Sequence, residues 1–241
     1  MTPLLPWVLA SGSPRRRAFV ALLGLAHEAV SVNLPEVPLP HEPPRQTVVR
    51  LALSKALAAA ADFPGRLVVG SDTLVALDGE PLGKPAGPED AREMLLRLRD
   101  RPHQVMSGVA LVDGRAGQAA VDYALSLVWM RPYSDDEVQA YVASGDPLDK
   151  AGAYAVQHQE FRPASRLEGC YASVMGLPLC HLGRAARSLG LPFPDDVPSR
   201  CRADTGHPCQ VYPRILAGGP LGRVGLPLDL AGFPWQRLFV P

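Results

Sequence analysis

At 241 residues and 47% hydrophobic, the chain can bury a core as one large domain or as one domain with an appendage. Its 24 basic residues balance 24 acidic ones, which argues against general binding to nucleic acid or to a membrane surface and makes any anion site a local one. No apolar run approaches the roughly 20 residues that span a bilayer, and Cys170, Cys180, Cys201 and Cys209 form no CxxC pair, so free thiols in a reducing cytoplasm are expected.

Residues 1–10 are apolar without a basic leader and read as a first buried strand, centred on Trp7–Ala10. Ser11-Gly12-Ser13 follows, with Pro14 at a helix start and arginines at 15–17. A strand that breaks into small residues before a helix gathers free N–H groups, and arginine adds planar donors suited to phosphate. The helix carries Phe19, Val20, Leu22 and Leu23 and stops at Gly24; His27–Val32 is a second short strand. The proline-rich loop Pro35–Pro44 holds Glu36 and Glu42, with Arg45 just beyond, and is long enough to bind something.

Gln46–Ala61 has helical spacing and carries Lys55. Leu67–Gly70 reads as a short buried strand ending at Ser71-Asp72-Thr73, before Leu74–Leu77, a turn at Asp78-Gly79, the loop Gly83-Lys84-Pro85 and a helix over Glu89–Leu98. Val105–Val112 and Tyr123–Met130 are strands joined through Asp113-Gly114, and Ser134 with Glu137 makes a capping box for a helix to Val142. After Asp149-Lys150 come Ala153–Val156, a loop with His158, Glu160 and Arg162, and a last helix over Leu179–Leu189. Strands alternating with helices, and consecutive strands mid-chain, predict an α/β domain on a mixed sheet over residues 1–190. Residues 191–241 hold nine prolines and six glycines without sustained periodicity and read as an appended tail, draped on the body or disordered.

Asp72, placed at the end of an apolar strand, could take a divalent cation or accept a proton from water, or simply cap a turn. Glu36 could supply a second oxygen ligand or be a solvated loop residue. Asp149 beside Lys150 is a third carboxylate or a surface salt bridge, and Lys55 and Lys84 are ordinary lysines taken singly. Together, carboxylates for Mg²⁺ or Mn²⁺ and cations for phosphates are what phosphoryl transfer and pyrophosphate hydrolysis need. There is no GKS/T loop and no HExxH spacing, and His158 and His181 read as structural or surface residues. Cys201, His207 and Cys209 lie within nine residues and raise a zinc question. They lack a second CxxC half, so metal there is the less favoured reading; Cys170 or Cys180 would complete a set only if the fold brings them together.

The chain resembles the Maf-like nucleoside triphosphate pyrophosphatases over roughly residues 7–190. The resemblance rests on Ser11-Gly-Ser-Pro-Arg-Arg16, Leu51-Ala-x-x-Lys55-Ala, Asp72-Thr73, Gly83-Lys-Pro85, His103-x-Val105, Asp149-Lys-Ala-Gly-Ala-Tyr154 with Gln157, and Gly176-Leu-Pro-Leu179, in family order. It implies hydrolysis of a nucleoside triphosphate to the monophosphate and pyrophosphate with Mg²⁺ or Mn²⁺. It also implies a two-lobed body around a strongly twisted mixed sheet with a central nucleotide cleft, often as a homodimer.

Carried over, Asp72 resembles the proton acceptor, with Glu36 assisting at the metal and Lys84 beside them. Ser11, Arg15, Arg16, Lys55, Asp149 and Lys150 are expected around the substrate. Thr73 after the Asp, and Gln157, resemble the branch that takes dTTP and UTP, with Arg15 as a third specificity position; an amide at 157 can pair with a pyrimidine edge. The alternatives are a 7-methyl-GTP or other purine triphosphate pyrophosphatase, and a non-catalytic nucleotide-binding protein affecting cell division. Two departures stand out: the acidic pair usual in the first loop is Pro35-Glu36 here, and the segment after Gln157 is more charged than the common glycine-rich version.

Overall fold

A computed structural model describes residues 6–218 and the backbone of 223–225; the rest of the expected tail, residues 219–222 and 226–241, and residues 1–5 of the expected first strand lie outside the described residues. Strands β1 (Trp7–Ala10), β2 (His27–Val30), β3 (Leu67–Leu77), β4 (Glu80–Leu82), β5 (Pro102–Asp113), β6 (Gln118–Met130), β7 (Ala164–Glu168) and β8 (Arg223–Gly225) form one mixed sheet. Its main path runs β2-β1-β3-β5-β6-β7, with β4 paired to β3 and β8 to β6. The β1 pairings to β2 and β3 are parallel and the others antiparallel.

The long strands β3, β5 and β6 pass through two lobes. In one lobe, the sheet packs between a core of Trp7, Leu9, Phe19, Leu177 and Leu182 on one face and a core of Val8, Ala52, Ala56 and Val68 on the other. In the second, Val75, Leu95, Val128, Tyr133, Tyr141 and Phe161 make a separate core. The main helices are α1 (Pro14–Leu22), α2 (Pro44–Asp62), α3 (Pro88–Leu98), α4 (Asp135–Ala143), the short α5 (Tyr171–Val174) and α6 (Leu179–Ser188). The capping box of Ser134 and Glu137 forms as expected.

The strand predicted to end at Gly70 continues to Leu77, because β5 pairs with it residue for residue from Leu67 to Ala76. Asp72 therefore sits within a strand, its backbone satisfied by the ladder. The opposite edge of β3 is different. It pairs with β1 only at Val68 and Val69, and with β4 only from Val75 to Leu77. Between those stretches the edge carries no strand, and the gap opens at Asp72.

Helix α2 lies unusually close to the sheet at two glycines. A Cβ on Gly70 would stand 2.0 Å from the Ala52 carbonyl oxygen, and one on Gly108 would stand 2.2 Å from that of Val48. Backbone cannot move aside as a side-chain tip can. Gly70→Ala is therefore expected to destabilise the protein by about 3 kcal/mol or more, read as a drop in the urea midpoint.

The described residues after 190 include two helices that the sequence pattern did not predict, α7 (Val197–Thr205) and α8 (Tyr212–Ala217). Among these residues only Val197 and Pro198 are buried, too few to impose a visible apolar period. Phe193 packs on Gly183 and near Trp7, and Arg200 donates to the Leu22 carbonyl at 3.0 Å. Strand β7 was also unforeseen: its residues are mostly exposed or half-buried, without the alternation that marks a half-buried strand.

Candidate active site

The gap in the edge of β3 opens into a cleft of about 340 Å³ between the lobes, lined by the Ser11–Arg16 turn, Glu36, Lys55, Asp72, Thr73, Lys84, Asp149, Lys150, Tyr154, Gln157 and Gly176. The residues that the resemblance assigns to catalysis, metal and substrate all line it, whereas Glu42, Arg45, His158, His181, Cys201, His207 and Cys209 do not. Those that line it come from both faces of the sheet, since successive residues of β3 point to opposite sides.

On the α2 side stands Lys55, whose ammonium donates to Asp72 Oδ1 and lies against Glu36 Oε1, each at 2.6 Å. Lys55 and Asp72 are buried, whereas the Glu36 side chain is 44% exposed. Burial pushes the Glu36 carboxyl up, but the Lys55 hydrogen bond and charge, with Lys84 and Arg16 beyond, outweigh it and hold the group below the usual carboxylate range. The loop that brings Glu36 here is clamped at its far end. Arg50 on α2 grips Glu42 through Nε at 2.6 Å and Nη2 at 2.7 Å, and the Leu39 N–H and Thr47 hydroxyl also donate to that carboxylate. A bidentate guanidinium fixes both position and direction, so the proline-rich loop is held in place.

On the other face, Arg16 donates to the Gly176 carbonyl at 2.8 Å, to Thr73 Oγ1 at 3.2 Å and to Ser11 Oγ at 3.4 Å. Gly176 has φ +109, and a Cβ there would crowd Arg16 and Thr73, so both the backbone and the space call for glycine. Beneath this arrangement Ser71 Oγ donates within 2.8 Å of the Gly176 and Gly108 carbonyls, and Ser107 Oγ shares a 2.8 Å hydrogen bond with Thr73. Ser71 and Ser107 are fully buried and were not singled out from sequence; a serine in a strand carries no signal until its partner is known.

At the mouth, Arg15 faces Asp149 at 3.8 Å. Lys150 is buried, bonded to Asp149 Oδ1 at 2.6 Å, to Asp146 Oδ1 at 3.0 Å and to the Asp146 carbonyl. Asp146 also accepts from Tyr141 at 2.6 Å, and so ties this turn to the second lobe. Lys84 and Asp149 are exposed, while Gln157 is half-buried at the wall. Behind Tyr154, His103 Nε2 shares a 2.7 Å hydrogen bond with its hydroxyl, and burial pushes His103 down to about 4, so the ring is neutral at physiological pH.

The first turn of α1 adds donors. Pro14 occupies its first position, and the N–H groups of Arg15 and Arg16 that follow have no acceptor within the helix. The cleft thus presents arginine, lysine and backbone N–H groups for an anion, next to two carboxylates that converge on one point. Two carboxylates with room for substrate oxygens suit a hard divalent cation such as Mg²⁺, which takes one or two protein carboxylates and completes its shell from phosphate and water. Asp72 and Glu36 fit that donor set.

Among the described residues no helix is long and apolar enough to cross a membrane. Residues 6–189 match the family described as Maf-like protein. A dTTP/UTP pyrophosphatase of Geobacter metallireducens is 43% identical over 183 residues, 76% of this chain and 95% of that protein. A dTTP/UTP pyrophosphatase of Thermomicrobium roseum is 41% identical over 213 residues, 86% of this chain and 96% of that protein, a share too large to end at residue 190. Among solved structures, the Staphylococcus aureus Ham1 protein is similar at 18% identity and a TM-score of 0.41, over 66% of this chain and 91% of that one.

Proposed function

The chain belongs to the Maf-like family, and from that premise we propose that it is a metal-dependent nucleoside triphosphate pyrophosphatase that hydrolyses dTTP and UTP to the monophosphate and pyrophosphate. The observation that carries the reading is the junction at Lys55, where Asp72 and Glu36 meet on one ammonium at 2.6 Å beside a cleft rich in phosphate donors.

Each residue then has a task. The first turn of α1, with Arg15 and Lys84, holds the triphosphate, and Arg16 is aimed by Gly176, Thr73 and Ser11. Asp72, held by Lys55 Nζ at 2.6 Å, takes a proton from the attacking water. Lys55 holds the Glu36 carboxyl low and fixes the direction of both carboxylates. Held by Asp72 and Glu36, Mg²⁺ or Mn²⁺ would supply charge neutralisation at the phosphate oxygens. Asp149 and Lys150 shape the mouth, and Gln157 offers an amide donor and acceptor to the pyrimidine edge. The cytoplasm, where free nucleoside triphosphates are found, is the compartment this reading requires, and a homodimer is carried with it as the family's frequent assembly.

Pyrophosphate release from dTTP, UTP, CTP, 5-methyl-UTP, 7-methyl-GTP, ITP and ATP, with Mg²⁺, Mn²⁺ or chelator, tests the proposal. Turnover of dTTP and UTP above the purines, lost with chelator, is expected. Preference for a purine would overturn the substrate assignment, and activity undiminished by chelator would overturn the metal. Gln157→Leu is expected to lower kcat/KM for dTTP and UTP about tenfold to a hundredfold, the loss of hydrogen bonds worth about 1–3 kcal/mol. An unchanged ratio of pyrimidine to purine turnover would remove Gln157 from base recognition.

A further inference from the structure

Cys170, Cys180, Cys201 and Cys209 line one small apolar cavity, but among the described residues no group of three or more His, Cys, Asp or Glu side chains is placed to hold a metal ion. Unassigned chemistry lies instead behind the wall that the second lobe gives the active-site cleft. Residues 149–151 and 154–157 form that wall. Little regular structure holds it: Asp146–Asp149 and Ala151–Ala153 are short 3₁₀ turns, and Gly152 and Ala153 stand at φ 69 and 58. For an alanine, that left-handed conformation persists only where neighbours impose it.

One buried side chain gathers the stretch together. Tyr141 on α4 is 4% exposed and does not line the cleft. Its hydroxyl accepts from the Ala155 N–H at 2.9 Å and donates to Asp146 Oδ2 at 2.6 Å. Its ring stacks on Phe161 with centroids 4.2 Å apart and meets His158 edge-on at 4.7 Å. The start, middle and end of residues 146–161 thus close on one tyrosine. Burial and the hydrogen bond to Asp146 push the Tyr141 hydroxyl up, so it stays a donor. Burial pushes Asp146 up as well, but its hydrogen bonds to Tyr141 and Lys150 outweigh that and hold it low. Lys150 completes the arrangement. Its ammonium donates to Asp146 Oδ1, to the Asp146 carbonyl and to Asp149 Oδ1, three acceptors for three N–H groups, so its charge is committed to the turn.

We propose that Tyr141, acting through Asp146 and Ala155, is a positioning residue that fixes the Asp149 turn and Gln157 relative to each other and so sets the affinity of the cleft for the nucleotide base.

This role rests on the reading of Gln157 as the group that meets the base. It concerns binding and not the chemical step. The hydrogen bonds of Tyr141 and Asp146 stop at the wall, whereas Asp72, Glu36 and Lys55 hold one another on the other side of the cleft.

The test compares Tyr141→Phe with the natural chain. Phenylalanine keeps the ring contacts and removes one oxygen, leaving the Ala155 N–H without its acceptor. KM for dTTP and UTP should rise about tenfold, the order of one lost hydrogen bond, while kcat stays within about threefold. Combined with Gln157→Leu, the change should add less than about twofold to the loss in Gln157→Leu alone, since both act through one amide. A tyrosine that only stabilised the fold would add its loss in full. Hydrogen exchange at Ala155 should quicken while the β5 amides keep their protection. An unmoved KM, a fall confined to kcat, fully additive losses or an Ala155 amide still protected would each overturn the role. If Tyr141→Phe fails to fold, Asp146→Asn decides. It keeps the volume and an accepting oxygen but gives up the charge facing Lys150, and KM should rise there too; an unchanged KM would overturn the role. The natural chain alone tests the function reading. Should it prefer a purine or release no pyrophosphate, that reading falls. The Tyr141 role is then judged on calorimetric affinity for the triphosphate that the natural chain binds most tightly, which must weaken in Tyr141→Phe for the role to stand.

Discussion

Asp72→Asn is expected to lower kcat for dTTP and UTP by about 10²–10⁴-fold, the range a positioned general base supplies, while the protein stays folded and binds nucleotide. The substitution preserves volume, and the amide oxygen can still accept from Lys55 Nζ where Oδ1 does now at 2.6 Å. What it removes is the ability to carry a proton away from water, and half of the charge that would hold a divalent cation. Asp72 is 6% exposed, so bulk solvent cannot easily replace it. Single-turnover pyrophosphate release paired with calorimetric nucleotide binding separates the two losses. Undiminished release in the variant would assign the base to another group.

Lys55→Met is expected to cost about 2–4 kcal/mol of stability at neutral pH as well as activity. The ammonium is 7% exposed and lies against two carboxylates at once; without it Asp72 and Glu36 lose their nearest counter-charge and keep only the more distant Arg16 and, for Glu36, Lys84. The cost stays below that of a fully buried pair because water screens Glu36, which is 44% exposed. The sign with pH follows from the lowered Glu36 pKa. In the natural protein its contribution is fully present above the unfolded glutamate value of about 4.3 and is lost as pH falls through the lower folded value. In the variant the paired like charges raise a carboxyl pKa instead, so protonation relieves the repulsion as pH falls. Urea unfolding should show a wide gap between the two proteins at pH 7 that narrows toward pH 4. A gap independent of pH would mean that lost packing, and not charge, sets the effect.

Much of this was legible in the residues themselves. The break from Ala10 into Ser11-Gly12-Ser13 before Pro14, the helix carrying Lys55 and the capping box at Ser134 depend on local rules, and each forms where the pattern places it. The strand through Asp72 was misjudged because Ser71-Asp72-Thr73 looks like punctuation to any local rule. Its continuation is imposed by β5, thirty to forty residues away, which satisfies those backbone groups. Strand β7 and helix α7 escaped notice because too few of their side chains are buried to leave a period.

By itself the sequence determined the α/β class, the residues that meet in the cleft and the chemistry they offer, because residue type and short-range spacing carry that information. Tertiary structure alone decided which carboxylates share Lys55, that Arg16 and not Arg15 is aimed by Thr73 and Gly176, that a gap in the edge of β3 makes the cleft, and that four cysteines spread over forty residues line one cavity. Those are distances between segments far apart in the chain, and they exist only once burial of the apolar cores has chosen one pairing of strands and one seat for each helix.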